Sequence, residues 1–392
     1  MSISVAVVMG SRLNAWHGEV LRHLASDIAV TAFNTTSPRY PAQGLGVPVE
    51  SLAWDNEIGS WPRRKLLNLR YRLSHRRTGF EFELAPAADR LAAFDLIHTW
   101  ELFTPWTLQA LETRRVHRTP VLVTVWDILP FNHARDAARG RRRARALIEA
   151  DRFLVASERA AATLAVEGVS AQRILRLKPA VDVERFRPST TGRSGRERFA
   201  MRGDDEVVLA VARLEWEKGL EFLIYALGRL AVARPRLKLV LVGSGPDEAR
   251  LRDLAGRAGV SGRVVFLGEQ DHAAMPQIYA LADVFVLASV PGRDWQEQWG
   301  QSLLEAMAMG VPVVASLSGA IAEVVGDAGV LVQAGDFLDL AGALQSLLDD
   351  QPRRAKIARE ARLRVEREYA SRDRGAELSA IYRELVAARG RR

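Results

Sequence analysis

The 392-residue chain contains no cysteine, which excludes disulfides, thiolate metal ligands and a cysteine nucleophile. It has no run of 18 apolar residues, so the sequence predicts no membrane-spanning helix. The first residues, MSISVAVVMGSR, lack a basic leader with a long apolar region and instead predict a first β-strand. These absences favour a cytoplasmic protein whose chemistry is carried by groups other than thiols.

Acidic residues are fewer than basic ones: the chain has 47 Asp and Glu and 55 Lys and Arg, which give a formal net charge of +8. A basic surface attracts anions in general: nucleic acid, acidic lipid headgroups or phosphorylated small molecules. Hydrophobic content of 48% and charged content of 26% are ordinary for a globular protein. Composition therefore leaves the class of partner open.

Strand-like and helical segments alternate along the chain, which is the pattern of an open parallel sheet with helices on both faces. Continuous apolar stretches predict strands at 3–9, 28–33, 94–98, 120–126, 151–157, 206–212, 237–243, 263–268, 283–289, 312–316 and 329–332. Helices are expected at 17–26, 107–113, 139–150, 219–233, 248–258 and 353–389. The sequence thus predicts the α/β class.

Residues 187–205 interrupt this alternation with Pro, Gly, Ser, Thr and charged residues, which are typical of a linker. We therefore predict two doubly wound domains with a cleft between them. The expected segments are an N-terminal domain (1–190), a linker (191–205), a C-terminal domain (206–370) and a final helix (371–392) that returns to the N-terminal domain.

The segment EQWGQSLLEAMAMGVPVVA, residues 297–315, combines two carboxylates with a predicted helix start. Glu297 precedes this helix, and Glu305 lies inside it. Backbone N–H groups at the helix start favour an anion. They belong to Trp299, Gly300, Gln301 and Ser302. Carboxylates on both sides could accept hydrogen bonds from hydroxyls, so the segment predicts a site for a sugar joined to a nucleoside diphosphate.

Other candidate residues follow strands of the second half, where ligands of open α/β sheets bind. Arg213 and Lys218 follow the strand 206–212, and Gly243 and Gly245 follow the next strand. Two cations beside a helix start could hold a diphosphate without a metal. Alone, the cations would more often be a solvated pair and the glycines an ordinary turn.

The motifs ARLEWEKG, VLVGSGP and EQWGQSLLEAMAMGVPVVAS occur in an order and spacing that resembles the retaining glycosyltransferases of family 4 over about residues 206–335. The resemblance implies the GT-B fold, with two Rossmann-like domains facing each other across a cleft. It implies transfer of a hexose from UDP or GDP to an acceptor hydroxyl with the anomeric configuration kept. It also implies no cofactor and no catalytic metal, because the nucleotide-sugar is a substrate.

For single residues, the resemblance implies that Arg213 and Lys218 hold the diphosphate. It implies that Glu297 contacts hydroxyls of the transferred sugar and that Glu305 contacts the ribose. These implications make Arg213, Lys218 and Glu297 the catalytic candidates. The donor-binding candidates are Gly243, Gly245, Trp299, Gly300, Gln301, Ser302 and Glu305.

The acceptor would bind to the N-terminal domain. In the segments DLIHTWELF and VTVWDILPF, family members often carry histidine, but here Trp100 and Trp126 replace a polar residue. His98, Glu101 and Asp127 remain as acceptor-side candidates, although a lone histidine at a strand end is more often structural. The acceptor class expected is a glycan, a lipid-linked sugar or a small molecule.

Residues 61–77 carry seven Lys or Arg and no acid, with Leu66, Leu69 and Leu73 on one predicted helical face. Such a stripe suits an anionic membrane surface and would place the protein peripherally on the inner face of the membrane. A second basic stretch is 135–145. A solvated basic face is an equally good interpretation of both stretches.

Three hypotheses follow for function. The main one is a retaining glycosyltransferase of glycan, glycolipid or envelope polysaccharide synthesis. A sugar phosphorylase or sugar-nucleotide epimerase would keep the fold, but the Arg–Lys pair and the two glutamates favour transfer. A basic nucleic-acid-binding protein would show salt-dependent DNA binding without nucleotide-sugar turnover; no recognised motif supports it, so no nucleic-acid partner is expected.

Overall fold

The computed structural model describes residues 2–14, 16–36, 39, 42, 44–54, 57, 61–62, 64–66, 68–69, 84–85, 87–134, 136–188, 193–199 and 201–389. The chain divides into two compact units: a first unit of Met1–Ala180 with Ser371–Arg392, and a second unit of Val181–Ala370. Each unit has its own sheet and its own buried apolar core.

The strands are short runs rich in Val, Ile, Leu and Phe, as expected where a sheet is covered on both faces. They are β1 (Ile3–Val8), β2 (Ile28–Thr35), β3 (Val49–Trp54), β4 (Leu84–Ala85), β5 (Leu96–Trp100), β6 (Val121–Val125), β7 (Arg152–Val155), β8 (Ile174–Arg176), β9 (Glu206–Val211), β10 (Leu237–Val242), β11 (Val264–Gly268), β12 (Val284–Leu287), β13 (Val313–Ser316) and β14 (Val330–Val332).

Several of the helices begin at a residue whose side chain accepts a hydrogen bond from the first turn; Thr104, Asp136 and Ser157 are examples. The helices are α1 (Ala87–Leu91), α2 (Pro105–His117), α3 (Ala137–Glu149), α4 (Glu158–Val166), α5 (Leu220–Leu230), α6 (Glu248–Arg257), α7 (Met275–Tyr279), α8 (Gln301–Ala308), α9 (Ile321–Val325), α10 (Phe337–Asp349), α11 (Gln351–Glu368) and α12 (Ser371–Arg389). Among the described residues, no helix combines the length and the apolar character needed to cross a bilayer.

The first unit has the strand order β4-β3-β2-β1-β5-β6-β7-β8, and only the β3–β4 pair is antiparallel among the pairs described. The chain passes from β1 to β2 on one side and later returns to β5 on the other side. The order therefore reverses between β1 and β5. In open α/β sheets, ligands bind at the carboxyl ends of the strands that flank this switch point.

The second unit has the strand order β11-β10-β9-β12-β13-β14, with every described pair parallel. This is the order of a dinucleotide-binding sheet. Its switch point lies between β9 and β12. The segments that follow these two strands contain Arg213, Lys218 and Glu297, so the topology alone brings these candidates to one edge of the sheet.

The last helix, α12, completes the first unit. Tyr382 is fully buried there, and its hydroxyl lies 2.7 Å from Nδ1 of His98 in β5. Ser379 Oγ accepts a hydrogen bond from the backbone N–H of Ala25 at 2.9 Å. Arg383 pairs with Asp27 at 2.6 Å. Chain segments more than 270 residues apart in the sequence thus form one core.

The predicted α/β class with two doubly wound domains is confirmed, and every stretch predicted as a strand contains one. Three strands escaped prediction for physical reasons. β3, VESLAW, is partly exposed and so lacks a continuous apolar run, while β4 and β8 span only two and three residues. The helix expected at 17–26 is wrong, since a 3₁₀-helix covers only Glu19–His23.

The segment predicted as a linker is instead part of the second unit. Residues Arg193–Phe199 form a 3₁₀-helix in which Arg196 is only 1% exposed. Its guanidinium donates to the carbonyl oxygen of Leu281 at 2.7 and 3.0 Å and pairs with Asp283 at 2.8 Å. The unit boundary accordingly lies after Ala180 rather than after residue 190. The polar composition of the segment led to the prediction of a linker, because the residue that buries it in the second unit is the charged Arg196.

Candidate functional site

A buried ion pair joins the two sides of the switch point in the second unit. Lys218 ends the 3₁₀-helix that follows β9, and Glu297 lies in the loop after β12. Lys218 Nζ is 2.8 Å from Glu297 Oε2, with side chains 13% and 10% exposed. Ser289 Oγ donates to the same oxygen at 2.6 Å. The predicted cation and the predicted carboxylate are therefore in direct contact.

Gly219 makes this contact possible. Its φ of 61° is left-handed, and a Cβ at this position would overlap the carbonyl oxygen of Ala288, which follows β12. Only glycine lets the two segments approach so closely. The same residue is the N-terminal cap of α5, so the turn that carries Lys218 is held between a helix and the neighbouring strand end.

Arg213 is paired with carboxylates that the sequence analysis did not include. Its guanidinium donates to Glu217 Oε1 at 2.9 Å and contacts Glu215. Burial and the adjacent Glu217 raise the pKa of Glu215. Burial acts in the same direction on Glu217, but the hydrogen bond with Glu215 and the charges of Arg213 and Lys218 hold its pKa below the usual value. Both cations of the predicted diphosphate site are thus paired with protein carboxylates.

Helix α8 begins beside this cluster, as predicted. Gly300 is its N-terminal cap, with φ 76° and ψ 82°, and Gln301 is its first residue. Trp299 is buried, and its indole N–H donates to Gln301 Oε1 at 3.4 Å. The first-turn N–H groups of Gln301 and Ser302 therefore lie near the carboxyl end of β12, where an anion would meet the positive end of the helix dipole.

Glu305 is buried on α8 and held by two residues that the sequence analysis missed. Tyr279 donates its hydroxyl to Glu305 Oε2 at 2.7 Å, and His272 Nε2 lies 3.1 Å from Oε1. Burial, reinforced by the charge of Glu305, raises the pKa of Tyr279, which remains a hydrogen-bond donor. Tyr279 resembles an ordinary core aromatic in the sequence, so only the tertiary contact identifies it.

The glycines that follow β10 let their loop pack closely against the segment that carries Arg213. Gly243 has φ 128°, and a Cβ on it would overlap the carbonyl oxygen of Ala212. A Cβ on Gly245 would overlap the backbone of Leu214, whose N–H donates to the carbonyl of Ser244 at 2.9 Å. The loop thus packs against the segment that carries Arg213. Direct donor binding by Gly243 and Gly245 stays a prediction.

Two further residues near Glu297 lacked a sequence signal. The indole of Trp295 covers Lys218, with Nζ 4.5 Å from the ring centroid. Ser318 follows β13 and is 3% exposed, and its Oγ has no hydrogen-bond partner among the described residues. The neighbouring Ala320 donates its N–H to the carbonyl of Glu297 at 2.9 Å. Ser318 is therefore a buried hydroxyl beside the candidate site.

His98 is part of the core of the first unit, which contradicts its assignment as an acceptor contact. It is 1% exposed, and its two ring nitrogens lie 2.7 Å from the hydroxyls of Tyr382 and Thr124. Its ring stacks on Trp100 with the centroids 4.1 Å apart. Burial lowers the pKa of His98 to about 3, so the ring is neutral. The structural interpretation of this histidine is the correct one.

Glu101 and Asp127 lie at the adjoining carboxyl ends of β5 and β6. Glu101 is 5% exposed, and its Oε1 accepts a hydrogen bond from the backbone N–H of Trp126 at 3.2 Å. Asp127 pairs with Arg143 at 3.0 Å and accepts from the side-chain amide of Asn132 at 3.0 Å. The two carboxylates are thus close together, and Asp127 is engaged by the protein itself.

The basic stretch 135–145 is a solvated face only in part. Arg143 is 3% exposed and pairs with both Asp127 and Glu167. Arg145 pairs with Glu112 at 2.6 Å and with Glu149 at 2.7 Å. Acidic partners offset these two charges, whereas Arg141 on the same helix is exposed. Arg135 lies outside the described residues.

Within the other basic stretch, 61–77, residues 61–62, 64–66 and 68–69 are helical. Trp61, Leu66 and Leu69 are 70%, 65% and 49% exposed. Leu73 and the rest of the stretch lie outside the described residues. Among the residues that the structure describes, no group of three or more His, Asp or Glu side chains is placed to hold a metal ion.

Comparison with known proteins gives the family. The family described as Glycosyl transferases group 1 matches residues 194–364, and Glycosyltransferase Family 4 matches residues 19–185. Anabaena HepE, solved in complex with UDP and glucose, covers 98% of this chain and 100% of its own with a TM-score of 0.77 at 20% identity. The fold is therefore that of the GT-B proteins. The chain belongs to the family 4 glycosyltransferases.

Two curated relatives each match about half of the chain. A GDP-mannose-dependent monoacylated alpha-(1-6)-phosphatidylinositol monomannoside mannosyltransferase of Corynebacterium glutamicum is 37% identical over 210 residues, which are 52% of this chain and 55% of the relative. The lipopolysaccharide core biosynthesis mannosyltransferase LpsB of Rhizobium meliloti is 29% identical over 215 residues, 53% of this chain and 59% of the relative. The chain spans between half and three fifths of the length of these relatives.

Proposed function

We propose that this protein is a retaining glycosyltransferase that moves a hexose from a nucleotide-sugar to an acceptor hydroxyl in glycan or glycolipid synthesis. Family membership supports the transferase class. The relatives named as mannosyltransferases favour GDP-mannose as the first donor to test, with UDP-glucose as the second because HepE was solved with UDP and glucose. The observation that carries the proposal is the buried Lys218–Glu297 pair at the switch point of the second unit.

In this proposal the diphosphate replaces carboxylates as the partner of the two cations. Lys218 leaves Glu297, and Arg213 leaves Glu217, to bind phosphate oxygens beside the first turn of α8. Cations and helix N–H groups together stabilise the charge that develops on the departing nucleoside diphosphate. The protein carboxylates compensate the two cations until the diphosphate takes their place as the partner.

After the same exchange, Glu297 no longer pairs with Lys218 and can bind the transferred sugar. Ser289 donates to Oε2 and holds the carboxylate when Lys218 turns to the phosphate. Its oxygens then accept hydrogen bonds from hydroxyls of the transferred sugar. Glu305 binds the ribose hydroxyls, and Tyr279 and His272 fix its orientation. The buried hydroxyl of Ser318 is a further group that the donor could engage.

The proposed reaction uses no metal, because Lys218, Arg213 and the start of α8 supply the positive charge at the phosphates. Retention would follow from attack on the face that the leaving group vacates, with a phosphate oxygen taking the proton of the acceptor hydroxyl. The protein would act in the cytoplasm at the inner face of the membrane. The exposed Trp61, Leu66 and Leu69 beside Lys65 offer an apolar and basic contact for anionic lipid.

The test measures release of nucleoside diphosphate from GDP-mannose and UDP-glucose, with and without EDTA, for wild type, Lys218→Ala and Lys238→Ala. Lys238 is the matched control, since it lies on β10 and donates to the carbonyl of Gly262 instead. We expect EDTA-insensitive turnover that Lys218→Ala abolishes and Lys238→Ala keeps. Full activity of Lys218→Ala would refute the site. NMR of the anomeric proton of the product checks retention.

A further inference from the structure

Two side chains of the second unit orient the carboxylate of Glu305, and neither is a lysine or an arginine. Tyr279 donates its hydroxyl to Oε2 at 2.7 Å, and His272 Nε2 lies 3.1 Å from Oε1. Each carboxylate oxygen has two lone pairs, so one on each oxygen is left for a ligand. Two adjacent hydroxyls, such as the 2′- and 3′-hydroxyls of a ribose, match these two acceptors.

The other ring nitrogen of His272 contacts Arg185, a residue that the site has not yet included. Nη1 of Arg185 lies 3.2 Å from Nδ1 of His272, and Nη2 donates to the carbonyl oxygen of the same residue. Within the described part of the chain, this guanidinium contacts His272 and the ring of Phe186 but no carboxylate. Its positive charge therefore faces Glu305 across the imidazole ring.

A turn that is closed by its own side chains holds Arg185 in place. The carboxylate of Asp182 accepts hydrogen bonds from the backbone N–H groups of Glu184 and Arg185, both at 3.0 Å. Phe186, which is 2% exposed, donates its N–H to the carbonyl oxygen of Asp182 at 2.9 Å. Arg362 of α11 donates to the carbonyl oxygen of Phe186 at 2.6 Å. These contacts fix the backbone from which the guanidinium reaches His272.

The contact with Arg185 determines which nitrogen of His272 carries the proton. A guanidinium can only donate, so Nδ1 accepts from Arg185. The proton of the neutral ring is then on Nε2, which donates to Oε1 of Glu305. Arg185 and Glu305 thus select the same tautomer from the two nitrogens of the ring. Without Arg185, Nδ1 becomes a second site for the proton, and Nε2 would then present a lone pair to the carboxylate.

We propose that Arg185 is a positioning residue for the nucleotide: it fixes the tautomer of His272, which orients Glu305 and so sets the preference for ribose over 2′-deoxyribose. Arg185 touches no substrate in this arrangement. A carboxylate held in one orientation discriminates against a ligand that lacks the hydroxyl, because the charge-assisted hydrogen bond is lost. A carboxylate that can rotate re-pairs with water and discriminates less. The proposal rests on the proposed function, because the ribose would be that of the nucleotide-sugar.

The first test measures, by calorimetry, the binding of GDP and 2′-deoxy-GDP to wild type, Arg185→Met and Arg187→Met. Arg187 is the matched control, because it lies in the same segment and is exposed. We expect wild type to prefer the ribonucleotide by about tenfold or more, as one charge-assisted hydrogen bond implies. The preference should fall to about twofold in Arg185→Met and stay at the wild-type value in Arg187→Met. UDP and 2′-deoxy-UDP replace this pair if wild type binds UDP more tightly.

The second test measures the tautomer itself through the nitrogen chemical shifts of the imidazole rings, with His272→Gln to identify the signals of His272. We expect the Nε2–H form in wild type and a mixture of forms in Arg185→Met. Glutamine keeps an amide donor for Glu305 and has no tautomers, so His272→Gln should keep most of the ribose preference. In that background, Arg185→Met should change the preference by less than about twofold. The tautomer of wild type remains decisive if Arg185→Met fails to fold.

Three outcomes would overturn the proposal. The first is wild type that binds neither ribonucleotide or shows no preference for ribose, the second is an unchanged preference in folded Arg185→Met, and the third is a proton on Nδ1 of His272 in wild type. Neither test requires turnover, so failure of the proposed function is recognised differently. Wild type that shows the Arg185-dependent preference but releases no nucleoside diphosphate from either nucleotide-sugar would refute transfer and leave the role of Arg185 standing.

Discussion

The switch points of the two units have the same sheet geometry and opposite electrostatics. In the second unit, Lys218 and Glu297 face each other as a charged pair, and Arg213 adds a second cation. In the first unit, burial keeps Glu101 and His17 mainly neutral at pH 7. Topology thus fixes where a ligand can bind, and the side chains decide the electrostatic surroundings that it meets there.

The difference arises from how each carboxylate is compensated. Glu297 receives a hydrogen bond from Ser289 and an ion pair from Lys218, so its negative charge is stabilised. Burial and then the charge of Asp127 raise the pKa of Glu101, which receives only one backbone N–H, so its neutral form is favoured. One carboxylate suits exchange with phosphate, and the other suits direct hydrogen bonding to a hydroxyl.

The largest expected effect is on the free energy of unfolding, and it comes from replacing Arg143, which pairs with Asp127 after β6 of the first unit. Arg143 compensates two buried carboxylates, Asp127 and Glu167, and is itself 3% exposed. Arg143→Met leaves both charges unpaired, so we expect the free energy of unfolding to fall by roughly 3–5 kcal/mol. Urea unfolding followed by tryptophan fluorescence measures this. Arg141→Met, on the exposed face of α3, should change stability by less than about 0.5 kcal/mol.

The second prediction tests the charged pair through Glu297→Gln. The amide keeps the shape of the side chain but releases Lys218 from its ion pair. We expect kcat to fall by about a hundredfold or more, since the sugar hydroxyls lose a charged acceptor. Free GDP should bind at least as tightly as in wild type, because no carboxylate competes for Lys218. Weaker GDP binding by calorimetry would contradict the exchange of partners. Glu248→Gln, on α6, serves as the control.

The third prediction concerns acid sensitivity of the first unit. Burial lowers the pKa of His98 and of His17 to about 3, well below the usual value of about 6.5 that applies when the chain is unfolded. The unfolded chain therefore binds protons first, and stability falls as the pH drops from 6.5 towards 3. Between pH 6.5 and pH 5 the loss is roughly 2 kcal/mol for each histidine.

Thermal unfolding at pH 7 and pH 5 checks this loss, with His98→Asn as the comparison. The variant lacks one of the two titrating rings, so its transition temperature should depend less on pH than that of wild type. A variant with the full pH dependence of wild type would show that His98 is not the group responsible.

The sequence predicts the elements and the donor-side candidates because their signals are local. The buried strands are continuous apolar runs, and Glu297, Gly300 and Glu305 are placed by their spacing around one helix start. The alternating pattern also predicts that Lys218 and Glu297 lie at the ligand-binding edge of one sheet, although it does not predict their ion pair. These features therefore required no knowledge of side-chain packing.

Other features depend on contacts between distant segments, and the sequence carries no local signal for them. His98 resembles a strand-end candidate until Tyr382, from the last helix, is seen to contact it. Arg196 lies in a polar segment typical of a linker, yet Leu281 and Asp283 bury it. The unpaired oxygen of Glu101 is likewise visible only once every neighbouring group has been placed.

The smallest expected effect concerns the aromatic cover of the charged switch point. Trp295 lies over Lys218, and a cation–π contact of this kind contributes about 0.5–1 kcal/mol. It holds the ammonium group beside the switch point, so its loss should raise KM for the nucleotide-sugar by about twofold to fivefold with little change in kcat. KM should be lowest in wild type, higher in Trp295→Phe and highest in Trp295→Leu. The π-face weakens in that order, while apolar packing is largely kept. Equal KM values across the series would show that packing, and not the cation–π contact, is what Trp295 contributes.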